Sequence, residues 1–390
     1  LKHFGIRPRV AWQLDEFGHS GTQAWLMSRA VGLGAVFWGR TDYQELKERY
    51  QTARLEYLWD PSTTNPGRDA RVFASQLFGQ GQYGGYYSWI EFEDTDAKTR
   101  NYVQDDESLQ DYNVKQWVER VVAFAMRQAN QTKTKHQLWA LGNDFNYQTA
   151  SRWYTNLDKL IHHVNRDGRV KLLYSTPSRY VRAKASAKME WEVRRGDLFP
   201  LADGPHEYWT GYFTSRPALK RQYRASAALL AATRQIETAE RWFLHQKSAS
   251  TGARKDDDPR LPTSPIGTGW TDDLEGALAV TAHHDGITGT ARQSVTNDYQ
   301  WRLALGARRA ERAAIVALGR LAHLANPARR ALGTCNCNTA GPMDCLNATT
   351  CSLTSKRQTD FFVTLWNSLA WNNTVVFEVP VAVLDDNQDE

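Results

Sequence analysis

Three residues of this chain have the type and setting to do chemistry. Asp15 lies in Trp12-Gln13-Leu14-Asp15-Glu16-Phe17-Gly18-His19-Ser20, just after a predicted strand. Asp144 follows Leu138-Trp139-Ala140-Leu141-Gly142-Asn143 in an equivalent setting. Either aspartate could cap a helix or shape a turn, roles the residue type favours. Two strand-end carboxylates with aromatics beside both also suit glycoside hydrolysis, which needs one carboxylate as nucleophile or base and another as acid. The third residue, His284, stands in His283-His284-Asp285-Gly286-Ile287-Thr288-Gly289-Thr290. The apolar stripe Leu274, Ala277, Leu278 and Thr281 continues through it, which predicts an inward-facing imidazole. A packed core histidine is the plainer reading of that stripe, but imidazole beside a carboxylate also suits zinc. His162-His163 sits in an ordinary amphipathic segment and reads as solvated surface.

The elements that must position these residues follow from periodicity. Short apolar runs at 9–14, 35–38, 137–141 and 171–174 predict strands, and amphipathic helices are predicted over 113–129 and 149–164. Strands alternating with helices imply an α/β domain, a parallel sheet or barrel whose functional residues collect at the carboxyl ends of its strands. We assign it to residues 1–185. Long helical patterns at 216–243 and 291–324, with a shorter one at 271–284, predict a three-helix bundle domain over 186–325. Ser, Gly, Asp, Lys and Pro dominate 246–269, which reads as a mobile surface loop. A Cys-containing linker follows at 326–355, and 356–390 reads as the beginning of an all-β domain.

Composition narrows the class. The 390 residues are 41% hydrophobic and 23% charged, which is ordinary globular composition. The net charge of +5 comes from interspersed rather than clustered charges, which argues against nucleic-acid binding. No apolar run approaches the ~20 residues needed to span a bilayer. The four cysteines, Cys335, Cys337, Cys345 and Cys351, share one short segment. They imply two local disulfides in any of three connectivities, and their spacing fits a zinc knuckle poorly. With N-x-S/T sequons at Asn130, Asn347 and Asn372, they favour a secretory-pathway protein. Aromatics are abundant, and the Gly-rich clusters Tyr208–Phe213 and Gln82–Tyr87 could offer flat faces to a sugar.

Taken in order, these features resemble glycoside hydrolase family 38. The Asp15 segment looks like that family's nucleophile segment, Leu141-Gly142-Asn143-Asp144-Phe145 like its acid/base segment, and His283–Thr290 like its zinc motif. The run from Ala202 to Arg221 resembles the opening of its helical domain, in wording closer to lysosomal than to Golgi members. The resemblance implies a seven-stranded barrel and a retaining exo-α-mannosidase acting on mannose-containing, N-glycan-derived oligosaccharides and glycoproteins. It implies that Asp15 is both nucleophile and zinc ligand, that His284 binds the same zinc ion, and that Asp144 is the acid/base. Phe17, Arg40, Tyr83, Trp209 and Asp285 are expected to line the mannose subsite. Double displacement implies carboxyl groups about 5–5.5 Å apart. A lysosomal or other secretory or endocytic location is expected, and a homodimer is compatible with the resemblance.

Two departures accompany the likeness. Glu16 stands where the family usually has Pro. Two further zinc ligands are expected from a His-x-Asp on a strand preceding residue 1, so the chain reads as a fragment that needs the remainder of its polypeptide. The competing readings are a metal-dependent polysaccharide deacetylase and a catalytically incomplete carbohydrate-binding fragment.

Overall fold

The computed structural model describes residues 4–61, 70–77, 90–92, 102–251, 270–325, 363–369 and 371–376. The chain divides into two compact units, Leu1–Gly211 and Tyr212–Glu390. The first unit extends past residue 185 because its last strand and the loop after it pair back into it.

The first unit is built on a five-stranded sheet: β1 (Val10–Gln13), β2 (Ala35–Trp38), β3 (Glu56–Asp60), β4 (Val72–Gln76) and β5 (Val193–Arg195). Their order in space is β1-β2-β4-β3-β5. β1, β2 and β4 run parallel, β3 runs antiparallel to β4, and β5 is parallel to β3. The expected parallel-sheet barrel is met in part: among the described residues the sheet has five strands, is mostly parallel with one antiparallel pairing, and does not close. β2 is apolar throughout and buried at every position, as a central strand covered on both faces must be. Alternate side chains feed two cores. Val36 and Trp38 join Ala24, Met27, Tyr57 and Trp59 on one face, and Ala35 and Phe37 join Phe73, Leu77 and Tyr180 on the other.

Helices cover the sheet. α1 (Gly21–Trp25) starts at Ser20, whose side chain accepts from the Thr22 amide, and runs into a wider turn ended by Gly32. α2 (Tyr43–Gln51) is capped by Asp42, which accepts from the amides of Gln44 and Glu45. α3 (Val114–Ala129) and α4 (Ala150–Asp167) bury the faces their periodicity predicts, packing Trp117, Val121, Trp153 and Leu160 into one core. α5 (Pro177–Ser186) begins at Thr176 with Pro at its first position.

Two predicted strands are corrected. Residues 171–174 form no strand, because the Asn165 carboxamide takes the place of a neighbour: it accepts from the Leu172 amide at 2.7 Å and donates to the Leu172 carbonyl at 2.9 Å. Residues 137–141 also find no partner strand among the described residues; they lie along α3, where Gln137 donates to the Ala125 carbonyl and Trp139 packs on Phe124.

The second unit contains α6 (Pro217–Thr251), α7 (Asp272–Thr281) and α8 (Gln293–Ala325), which pack pairwise on one another. Leu219, Leu274, Leu278, Tyr299 and Leu303 form their shared core. α6 continues through Thr251, so the first residues of the segment read as a loop are helical; 252–269 lie outside the described residues. The four cysteines and Asn347 also lie outside them. Residues 363–369 and 371–376, the described part of the expected β domain, form no strand. Among the described residues no helix is long and apolar enough to cross a membrane.

Candidate active site

The sheet explains how Asp15 and Arg40 meet. Gln13 and Trp38 pair at the carboxyl ends of the parallel neighbours β1 and β2, and Asp15 and Arg40 each lie two positions further on. The Arg40 Nε–H donates to Asp15 Oδ1 at 2.5 Å, a charge-assisted contact with both side chains largely withdrawn from solvent. β4 steadies this rim: the Gln76 side chain donates to the Gly39 carbonyl and accepts from the Thr41 hydroxyl.

Arg40 is enclosed on several sides. Its guanidinium carbon lies 4.3 Å from the Trp209 ring centroid and 5.4 Å from that of Phe17, and the two rings stand 4.9 Å apart. A planar cation set against aromatic faces is favourably held. Asp203 lies on another side, 3.9 Å from Arg40 Nη1. Beneath the same residue, His19 is buried and stacked on Trp38 at 4.7 Å. His19 Nε2 lies 3.1 Å from the Arg40 carbonyl, which can only accept, so Nε2 carries the proton. Burial pushes its pKa down from 6.5 to about 4, partly offset by that hydrogen bond, and Nδ1 is buried without a partner.

Four of the predicted site residues, Asp15, Phe17, Arg40 and Trp209, therefore converge. Asp144 occupies an exposed turn of its own, its amide donating to the Asn143 side chain at 2.8 Å. The next residues, Phe145 and Tyr147, both adopt φ near +63°, and Tyr147 stacks on Trp153. Tyr83 lies outside the described residues.

In the second unit, His283, His284 and Asp285 follow the end of α7, with His284 half-buried and its neighbours exposed. One ligand atom from each lies within 4.8 Å of the others. Imidazole and carboxylate are ligand types that zinc takes, so the chemistry of this cluster, in which the motif assigns His284 to the metal, agrees with the ion the motif implies. The start of α6 holds the loop that follows. Lys220 Nζ donates to the carbonyls of Ile287 (2.7 Å) and Thr288 (3.1 Å), Ser215 Oγ to that of Gly289, and Arg216 to those of Gly289 and Ala291. Gly289 is required here: its φ is +77°, and a Cβ would meet the Ser215 carbonyl oxygen at 2.5 Å.

Periodicity and spacing give no sign that His19, Asp203, Ser215, Arg216 and Lys220 matter. All five fall inside quoted motifs, and that membership is the only sequence signal that could have found them.

The chain belongs to glycosyl hydrolase family 38. Residues 1–204 match the glycosyl hydrolases family 38 N-terminal domain and residues 207–321 the alpha mannosidase middle domain. Among individual relatives, a probable alpha-mannosidase of Arabidopsis thaliana is 38% identical over 98% of this chain and 34% of its own length. Lysosomal alpha-mannosidase of Bos taurus is 38% identical over 82% of this chain and 30% of its own length. A solved family 38 structure from Enterococcus faecalis aligns with a TM-score of 0.47 at 13% identity, over 83% of this chain and 28% of that one. The chain spans about a third of the length of the curated relatives it matches.

Proposed function

We propose that this chain carries the catalytic site of a retaining exo-α-mannosidase, which removes mannose from N-glycan-derived oligosaccharides and glycoproteins in a lysosomal or related compartment. The observation that supports it best is the convergence of Asp15, Arg40, Phe17 and Trp209 at the carboxyl ends of β1 and β2. A carboxylate held against a cation, with aromatic faces beside it, suits a nucleophile aimed at a pyranose.

In this reading Asp15 attacks the anomeric carbon while Asp144 protonates the departing oxygen. Asp144 then takes a proton from water, which hydrolyses the glycosyl–Asp15 ester and restores the original anomeric configuration. Arg40 orients the Asp15 carboxylate, Phe17 and Trp209 pack on the apolar side of the sugar, and Tyr83 and Asp285 complete the mannose subsite. Asp15 and His284 are the residues of this chain assigned to zinc. When bound, that ion supplies Lewis-acid contact to the sugar hydroxyls and so favours mannose geometry.

Asp15→Ala and Asp144→Asn, made in the protein that contains this chain, are each expected to cut turnover of an aryl α-mannoside by about a thousand-fold or more. Wild-type rates in either variant would overturn the assignment. α-Mannose as the first-formed anomer is the expected product, and β-mannose would exclude double displacement.

A further inference from the structure

A single loop supplies two of the groups around Arg40. After β5 the chain returns antiparallel to His19, with reciprocal backbone hydrogen bonds between His19 and Leu198 at 3.0 and 2.8 Å. Leu201 and Ala202 are then buried, and the Ala202 carbonyl accepts from the Tyr43 amide at the start of α2. The loop closes on itself: Asp203 N–H donates to the Glu207 carbonyl, Glu207 N–H to that of Gly204, and Trp209 N–H to that of Leu201. Asp203 and Trp209 are thus fixed on one braced turn. They reach the same guanidinium, Asp203 at 3.9 Å from Nη1 and Trp209 at 4.3 Å from the guanidinium carbon.

Arg40 therefore meets two carboxylates at different nitrogens of its fork, one in a hydrogen bond and one in a longer ion pair. Asp15 takes Nε and Asp203 faces Nη1. An arginine held only through Nε can swing about that bond. A second anion facing Nη1, with a ring against the guanidinium, restricts that freedom. We propose that Asp203 is a positioning residue: through Arg40 it fixes the edge of the Asp15 carboxylate. The inference rests on the reading of Asp15 as the nucleophile. Asp203 touches neither sugar nor reacting atoms in this scheme. It acts on kcat by keeping the attacking oxygen aligned, for which small displacements are costly.

The test compares Asp203→Asn, which keeps size and hydrogen bonding but removes the charge, with Asp203→Glu, which restores it. Asp203→Ser is the second neutral variant should the carboxamide fail to fold, and the thermal midpoint monitors folding throughout. The first readout is the Arg40 Nε–H resonance in ¹⁵N spectra, identified by its loss in Arg40→Lys. Its exchange with water is expected to quicken about ten-fold in the neutral variants and to return towards wild type in Asp203→Glu. The second readout is aryl α-mannoside hydrolysis, with kcat expected to fall about ten-fold and KM to change less than about three-fold. A wild-type value in either readout overturns the proposal. Should Asp15→Ala retain full turnover, the functional reading fails instead, and the exchange readout still decides whether Asp203 holds Arg40.

Discussion

His19 is the residue whose burial has the most direct consequence for pH. The unfolded chain protonates it near 6.5, whereas the folded protein resists the proton until about pH 4, because desolvation disfavours the imidazolium. Its folded-state pKa is depressed, so between those values the unfolded state binds more protons and stability falls as pH falls. The gap is worth roughly 3 kcal/mol, fully present above pH 6.5 and lost by about pH 4. His19→Gln keeps a donor for the Arg40 carbonyl but cannot titrate. Urea unfolding at pH 7 and pH 4.5 should show a smaller acid-induced loss in this variant than in wild type; equal losses would rule out the His19 contribution. Burial of this kind leaves no local mark. His19 reads as part of a motif in the sequence, and only the three-dimensional neighbours Trp38 and Arg40 explain it.

At the scale of elements, legibility followed the degree to which local pattern controls structure. β1, β2, α3 and α4 were readable because their apolar residues recur at the spacing that their own faces require. β3 was not, because both of its ends are acidic. Glu56 is buried against Lys184 at 2.7 Å, and buried Asp60 faces Arg71 and Arg195. No reading of residues 56–60 alone could anticipate partners so distant in sequence. α8 holds a similar case: Arg320 is buried against Glu240 of α6 at 2.8 Å. α7 and α8 approach closely at Gly306, where a Cβ would lie 2.6 Å from the Leu274 backbone. Gly→Ala in an open helix stabilises by about 1 kcal/mol. Gly306→Ala should instead destabilise by roughly 1–3 kcal/mol, because backbone must move. Chemical denaturation measures this directly, and an increase in stability would show that the two helices part without strain.

For the molecule as a whole, the candidate site was legible residue by residue but not as a constellation. Asp15 stands out by its type and strand-end setting, and Phe17, Arg40 and Trp209 only through the family likeness; their meeting depends on parallel pairing between β1 and β2 and on the loop after β5. The proposed metal residues admit a global test. A ligand that binds only the folded state stabilises it by about 2.7 kcal/mol at a hundred times its dissociation constant. Zinc added to the metal-free protein is therefore expected to raise the thermal midpoint, with His284→Ala abolishing most of the rise. An undiminished rise in that variant would remove His284 from the metal site.

The sheet order carries a further consequence, for the route by which the protein folds. β3 and β4 pair as near neighbours in the chain, whereas Leu58 meets Val193 only after a long intervening stretch has been gathered in. Closing so large a loop is entropically unfavourable until the rest of the unit has formed, so β5 is expected to dock late. The turn bearing Asp203 and Trp209 follows β5 directly. A chain arrested before that docking would hold most of its sheet and still lack the enclosure of Arg40, which makes completion of the proposed catalytic rim one of the last events expected in folding.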